Sequence, residues 1–294
     1  MKRILLLVNP KARSAAGTFL EIADALKTRG HQIYNIPYSE KADDFNVLIR
    51  RHREEIDIVI VAGGDGSINY ILPSLVETKL PLVVYPLGTA NLLARSFDIK
   101  ADLSQLTEII EKGKTVPLDL GVVNGKYFIN VCGLGISTEV NKRVTRRLKK
   151  ITGPLSFWIT GLKLRKTLKP FKMKLTVDET PPIVTRTWQI TVCNGRKYGA
   201  WMTISSDATY RDGVLHCLST EVNKRWEGIK LLPSYLRGQY KEKDDVTLAK
   251  GKTIRVETKN TLQIDVDGDI QTQTPAVFEI RPQLLNIIIP ATSE

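Results

Sequence analysis

The chain has 294 residues, 42% hydrophobic and 25% charged, a composition that suits a globular protein of about two domains with a sizeable core. Its formal net charge of +12 points to a polyanionic surface or substrate, and no apolar run approaches the roughly 20 residues that a helical membrane span requires. Three cysteines, Cys132, Cys193 and Cys217, lie too far apart for a CxxC pair, which excludes a redox motif or zinc ribbon and predicts reduced, buried thiols in a cytoplasmic protein.

The opening apolar run, Ile4-Leu5-Leu6-Leu7-Val8, reads as a first buried strand, because the turn residues after it offer no cleavage-like site for a signal peptide. The first third then alternates β-rich runs at 3–9, 31–38, 56–62 and 81–86 with helical patterns at 17–29 and 42–55, a rhythm of βαβ units around a mainly parallel sheet. The runs at 56–62 and 82–85 are almost continuously apolar, as when helices cover both faces of a sheet. Each leads into a glycine-containing loop, and in open α/β sheets ligands bind at the carboxyl ends of strands. After about Lys114 the texture turns strand-rich, with runs at 116–123, 127–131, 185–193, 214–219, 253–258 and 262–266. Helical stretches at 137–150, 155–168 and 226–238 interrupt it. The expected fold is an α/β N-terminal domain over 1–115 with a mainly parallel sheet, and a mainly antiparallel, β-rich, sandwich-like domain over 116–294. The last strand is free to return to the first domain. There is no internal repeat or low-complexity tract.

The strongest chemical signal is Gly63-Gly64-Asp65-Gly66-Ser67-Ile68-Asn69, placed after a buried strand and before a helix. Glycines let backbone N–H groups approach phosphate, Ser67 adds a hydroxyl, and a helix N-terminus favours negative charge. Asp65 is the odd member, since a carboxylate beside phosphates is repelled unless it binds Mg²⁺ or handles a proton. A tight turn with an Asp cap is the alternative, and no Gly-Lys-Ser/Thr follows to make a Walker loop. A second loop, Pro86-Leu87-Gly88-Thr89-Ala90-Asn91, offers Gly88 for close approach and Thr89 and Asn91 as hydrogen-bonding groups. A third, Asn9-Pro10-Lys11-Ala12-Arg13-Ser14-Ala15-Ala16-Gly17, is rich in small residues and carries two cations suited to phosphate.

These three loops, in this order and spacing, resemble the catalytic domain shared by diacylglycerol, sphingosine and bacterial lipid kinases. The likeness extends along nearly the whole chain, because Tyr210-Arg211-Asp212-Gly213-Val214-Leu215 and Val266-Asp267-Gly268-Asp269 look like the family's two later motifs. The resemblance to the bacterial diacylglycerol kinases implies ATP between the domains, with Asn9, Lys11, Gly63, Gly64, Asp65, Gly66, Ser67, Asn69, Gly88, Thr89 and Asn91 at the nucleotide and Tyr38 and Ser39 facing it. It implies that Asp267 and Asp269 accept the proton of the reacting hydroxyl or position Mg²⁺, with Asp65 completing the acidic cluster. It also implies a structural Mg²⁺ held by Asp212 and the carbonyls of Thr209 and Val214. Read without the family, Asp267-Gly268 is a hairpin turn and the Asp212 segment a plain turn. The chain departs from the pattern at Ser67 for the commoner Thr, Tyr70 for Glu, Leu92 for Asp, and Asp269 for Glu.

Twelve Lys or Arg and no Asp or Glu fall between Lys142 and Lys174, a charge equal to the whole excess. Lys142, Arg143, Arg146, Arg147, Lys149 and Lys150 precede the apolar Leu155, Phe157, Trp158, Ile159 and Leu162, the makings of an element that docks on an anionic membrane. A solvated basic face over a core stripe is the alternative, and nucleic acid is not expected. His31, His52 and His216 show no metal spacing, and Trp188, Trp201 and Trp226 read as core residues. The reading is an ATP-dependent, Mg²⁺-using lipid kinase, cytoplasmic and peripherally membrane-associated, with a homodimer left open. Its rivals are an NAD kinase-like enzyme, which shares a GGDG loop, and a non-catalytic binder of nucleotide or anionic lipid.

Overall fold

The computed structural model of the chain describes residues 1–10, 15–34, 43–143, 169–198, 202–221, 234, 237, 239–240 and 245–293. They form two compact units, Met1–Asp119 with Pro282–Glu294, and Leu120–Arg281. The division falls a few residues beyond the expected 115/116, and the C-terminal residues belong to the first unit.

The first unit runs β1 (Arg3–Val8), α1 (Ala15–Thr28), β2 (Gln32–Tyr34), α2 (Asp43–Arg51), β3 (Ile58–Gly63), α3 (Asp65–Thr78), β4 (Leu82–Pro86), α4 (Leu92–Ser96) and α5 (Leu103–Lys112). β2, β1, β3 and β4 are parallel neighbours in that order, in register at Ile4↔Ile58 and Val59↔Leu82. β3 and β4 are buried along their whole length, as strands covered on both faces must be. The helices bury one stripe each at helical spacing: Ile22, Ala23 and Leu26 from α1, Ile68, Ile71, Leu72 and Leu75 from α3, and Leu106, Ile109 and Ile110 from α5. α5 starts at Asp102, whose carboxylate accepts from Gln105 N at 2.7 Å. The strand expected over 31–38 is described only to Tyr34, and the remainder lies outside the described residues. The carboxyl ends of the central strands are tied together, with Asn9 N donating to Ala62 O and Leu87 N to Gly63 O, both at 2.9 Å. The three loops named above therefore leave the sheet side by side.

The chain enters the second unit along β5 (Lys114–Val123) and continues with β6 (Lys126–Phe128), β7 (Val131–Gly135), α6 (Ile136–Arg143), β8 (Phe171–Val177), β9 (Ile183–Thr187), β10 (Gln189–Cys193), β11 (Lys197–Tyr198) and β12 (Met202–Thr203). Then come β13 (Leu215–Thr220), β14 (Val246–Gly251), β15 (Thr253–Thr258), β16 (Gln263–Val266), β17 (Asp269–Gln273) and β18 (Ala276–Ile289), whose far end pairs in parallel with β4 at Ile287↔Leu82. One antiparallel sheet of this unit has the order β14-β13-β10-β7-β16-β17. The other places β18, β15, β8 and β9 in sequence, with β5 and β6 beside β18. Their inner faces share one core, with Met173, Leu175, Ile254, Val256 and Phe278 from one sheet and Cys132, Leu134, Ile190, Val192, Leu215 and Val266 from the other. This is the expected sandwich; all three cysteines are free and buried, Cys132 and Cys217 in this core and Cys193 in a smaller cluster with Val131, Ile204 and Leu218.

Two expected strands are each broken in two. The run at 127–131 leaves the ladder at Ile129 and Asn130, because the Asp267 carboxylate takes their backbone N–H groups. The run at 185–193 is divided at Trp188, where the chain passes from the sheet of β9 to that of β10. The helix expected over 137–150 is described as α6, while 155–168 and nearly all of 226–238 lie outside the described residues.

Within the sandwich, Gly121 pairs with Phe128 across β5 and β6, and a Cβ at Gly121 would fall on the Phe128 ring, which is fully buried. Overpacking of this kind costs about 1–3 kcal/mol. Gly121→Ala is therefore expected to lower the urea midpoint without changing the slope, whereas Gly125→Ala strains a positive φ of 78° but meets no atom within 4 Å.

Candidate functional site

At the carboxyl ends of β1, β3 and β4, contact depends on missing side chains. A Cβ on Gly64 would lie 3.0 Å from the Cα of Gly88, and one on Gly88 would lie 2.6 Å from the Cα of Gly64 and 2.6 Å from Asn91 Oδ1. The two loops thus touch backbone to backbone, which only glycine permits. A Cβ on Gly63 would likewise strike Ser67 Oγ at 2.5 Å. Asn91 closes the second loop on itself, with its Oδ1 accepting from Gly88 N and its Nδ2 donating to Gly88 O, each at 2.9 Å. It adopts a left-handed φ of 47°, as Asn tolerates. Asn9 joins the loop after β1 to the Gly63–Asn69 loop, its Nδ2 donating to Ser67 Oγ at 2.8 Å. Ser67 therefore uses its oxygen as an acceptor and keeps its proton to donate.

α3 begins at Gly64, extended and without a side-chain cap, so its first N–H groups have no side-chain acceptor at the N-cap. Gly66 is exposed, with nothing within 4 Å of where its Cβ would be. A 14-residue helix with an uncapped N-terminus, flanked by glycines and the Ser67 hydroxyl, has the donors for an anion such as phosphate. Asp65 faces the other way. Its Oδ1 accepts from Leu93 N at 3.4 Å, at the start of α4. Burial pushes its carboxyl above the ordinary range, while the backbone N–H groups of Leu92, Leu93, Asp65 and Asn91 pull it down. Leu92, where the resembled family often has Asp, is buried and apolar. Thr89 is exposed at the loop tip and Asn69 is half-buried in the first turns of α3. Asn9, Gly63, Gly64, Asp65, Ser67, Gly88 and Asn91 are thus brought together, whereas Lys11, Tyr38 and Ser39 lie outside the described residues.

Asp267 and Asp269 belong to the second unit, on the turn between β16 and β17. Asp267 and Gly268 have φ of 49° and 101°, and Val266 pairs with Asp269, so Asp-Gly does form the two-residue hairpin turn. The Asp267 carboxylate accepts from three consecutive backbone groups, Ile129 N at 2.7 Å, Asn130 N at 3.0 Å and Val131 N at 2.8 Å. Its N–H returns a bond to Val131 O at 2.9 Å. Asp269, one residue beyond the turn, is exposed, and its carboxylate meets no partner among the described residues. Sequence reasoning passed over Asp265, which is fully buried and accepts from Gly268 N at 2.8 Å. Its place two residues before Asp267 was the available signal.

The Asp212 turn is closed by its own side chain. Asp212 Oδ2 accepts from Thr209 N at 3.1 Å, Oδ1 from Val214 N at 3.2 Å, and His216 Nε2 lies 2.9 Å from Oδ2. Burial raises this carboxyl, but the bonds from His216, Thr209 and Val214 outweigh it and hold it below the ordinary range. Among the described residues no group of three or more His, Cys, Asp or Glu is arranged to hold a metal ion. His216, read from the sequence as a scattered histidine, is a partner of this turn, and its spacing four residues after Asp212 was the signal.

Comparison with known proteins agrees with the family that the motifs resemble. The diacylglycerol kinase catalytic domain family matches residues 3–123, and the family described as the YegS C-terminal NAD kinase beta sandwich-like domain matches residues 130–289. A diacylglycerol kinase of Mycobacterium tuberculosis is 30% identical over 271 residues, covering 90% of this chain and 87% of that protein. One from Bacillus subtilis is 27% identical over 240 residues, 80% of this chain and 78% of that protein. In fold, a crystal structure of a diacylglycerol kinase from Bacillus anthracis superposes with a TM-score of 0.76 at 20% identity, covering 100% of this chain and 98% of that one.

The raised carboxyl of Asp65 has a testable sign. A folded pKa above the unfolded one contributes stability that is complete below the unfolded value and is lost as pH rises through the folded value. Asp65→Asn removes the charged form. Its stability relative to the parent is expected to rise between acidic and neutral pH, as followed by thermal unfolding across that range, and a pH-independent difference would contradict the burial of this group.

Proposed function

We propose that this chain, which belongs to the diacylglycerol kinase family and is a lipid kinase, transfers the γ-phosphoryl group of ATP to a hydroxyl of a diacylglycerol-like lipid. The observation that carries the ATP reading is the backbone contact of Gly64 with Gly88, which sets an uncapped helix N-terminus, the Ser67 hydroxyl and the Thr89 loop at one edge of the parallel sheet. The backbone N–H groups of Gly64 and Gly66 would bind the phosphates, Asn9 orients the Ser67 hydroxyl to donate, and Asn91 holds the second loop closed against them. Bound Mg²⁺ would neutralise charge on the phosphates, and Asp65, the carboxylate of this unit's loops, would hold it only by leaving the backbone N–H of Leu93.

Phosphoryl transfer asks a protein mainly for alignment and for a carboxylate that orients the attacking hydroxyl. The DG motif offers two carboxylates, and their surroundings divide the work. Asp267 is committed to three backbone N–H groups and holds the turn, while the exposed Asp269 is left to take the lipid hydroxyl proton. The basic-apolar run of residues 142–174, much of it outside the described residues, supports docking on an anionic bilayer, where the acceptor resides.

At the Asp212 turn, a cation of the kind the family resemblance implies would have to compete with the His216 imidazole for the Asp212 carboxylate. His216→Thr is expected to make thermal unfolding sensitive to millimolar Mg²⁺ against chelator, with the parent chain less sensitive. Equal responses in both would remove His216 as the competitor.

The direct test is transfer of label from Mg-ATP to a panel of lipids presented in neutral and anionic vesicles at two salt concentrations, with NAD as a soluble acceptor. Label on a diacylglycerol-like lipid, enhanced by anionic vesicles at low salt, is expected. Label on NAD, or none, overturns the reading. Asp269→Asn is expected to lose about 10²–10⁴-fold in rate with an unchanged melting temperature, whereas Asp267→Asn loses both rate and stability.

A further inference from the structure

We propose that Asn130 and Tyr210 are positioning residues for the Asp267-Gly268-Asp269 turn, and that through them the Asp212 turn sets how Asp269 is presented. The inference rests on the reading of Asp269 as the carboxylate that meets the substrate hydroxyl.

An Asp-Gly turn between two paired strands needs no outside support to reverse the chain. This one is held from two sides. Asp265 Oδ1 accepts from Gly268 N inside the turn, and the Asp267 carboxylate takes the N–H groups of Ile129, Asn130 and Val131 outside it. The place of the turn is therefore the place of the 129–131 segment, two of whose residues lie between strands and depend on other anchors. Asn130 supplies these. It is 1% exposed, its carbonyl accepts from Asn194 N at 2.9 Å and Gly195 N at 3.3 Å, and its Oδ1 accepts from Tyr210 OH at 2.7 Å. Asn194 reaches back from the same side, its Nδ2 donating to Ile129 O at 3.0 Å.

Tyr210 is itself fixed. Its ring lies over Gly195, where a Cβ would come within 2.5 Å of Cζ and 2.6 Å of the hydroxyl oxygen, so the glycine is what lets the phenol reach Asn130. Two residues on, Asp212 closes its turn through Thr209 N, Val214 N and His216. Polar contacts linked by a short stretch of chain thus run from His216 to Asp212, along the backbone to Tyr210, and on to Asn130 and Asp267, ending two residues before Asp269. Asn130 Nδ2 is buried without a hydrogen-bond partner, a cost accepted where the other half of the amide is needed in one orientation. Buried polar networks of this kind select one geometry, which is what a carboxylate needs to meet a hydroxyl to within a fraction of an ångström.

Tyr210→Phe removes one hydroxyl and keeps the ring over Gly195. The expected result is about tenfold faster amide exchange at Ile129, Asn130, Val131 and Gly268, and a fall of about tenfold in kcat with the KM for ATP unchanged, the scale of one buried hydrogen bond. Tyr240→Phe, which loses a 3.0 Å bond to Thr203 O elsewhere in the unit, serves as control and should change neither readout. The double variant Tyr210→Phe, Asn130→Leu should be no slower than Asn130→Leu alone, because both act on one link. Unchanged exchange at 129–131 in Tyr210→Phe overturns the proposal, as does faster exchange with kcat intact or additive losses in the double variant. If exchange accelerates and the parent chain phosphorylates no lipid, the linkage stands and the lipid kinase reading of the turn is what fails.

Discussion

The site in the first unit depends on one van der Waals contact, Gly64 against Gly88. Parallel strands deliver loops to the same sheet edge, but their side chains would normally keep the loop backbones apart. Here two absent Cβ atoms let the backbones meet, and the rest follows from that approach. Asn91 is near enough to bond both polar groups of Gly88, Asp65 is near enough to receive Leu93 N, and α3 starts without a side chain over its end. An alanine at Gly88 would put a methyl 2.6 Å from the Cα of Gly64, and one at Gly64 a methyl 3.0 Å from the Cα of Gly88, so the constraint is steric and is the tighter at Gly88.

A second pattern unites the two units. Asp57, Asp102, Asp119, Asp178, Asp212, Asp265 and Asp267 each accept from at least one backbone N–H: Arg3, Gln105, Gln283, Lys252 and Thr253, Thr209 and Val214, Gly268, and Ile129 to Val131 respectively. Charge-assisted bonds of this kind are about twice as strong as neutral ones and serve where a turn leaves N–H groups without a ladder.

How much of this was legible in the sequence varies with the kind of force involved. The parallel unit was plain, because runs such as Ile58 to Gly63 are buried on both faces and show it in composition. The sandwich was visible as a class, but strands such as β8, β14 and β17 escaped, since their alternation carries charged residues such as Lys172, Lys174 and Lys250 that mask the pattern. The glycine loops announced themselves by spacing. What no local pattern conveyed was the long-range work of single side chains. Asp267 reaches residues more than a hundred positions away, and the break it makes at Ile129 and Asn130 looked like ordinary strand. Asp267-Gly268 carried two meanings, a hairpin turn and a motif carboxylate. The fold shows the turn, and it shows that the same carboxylate anchors another segment.

The departures from the family pattern become intelligible as a group. A carboxylate at position 92 would sit at the start of α4, beside an Asp65 whose charged form is already disfavoured by burial, and the two like charges would compete for the same N–H groups. With Leu92 buried instead, Asp65 keeps those groups to itself and α4 gains an apolar anchor. Tyr70 in place of Glu removes another acid from α3, and its carbonyl accepts from Asn46 Nδ2 at 3.0 Å where α2 packs against the helix. The loop region thus carries fewer negative charges than the family pattern would give it, which would lower the repulsion toward a bound polyphosphate. In its proposed role the shorter Asp269 would tighten the same logic on the second unit: a side chain with one methylene fewer has less room to correct its own placement, so the turn that presents it would have to be held more tightly, and the Asp265, Asp267, Asn130 and Tyr210 contacts are suited to that.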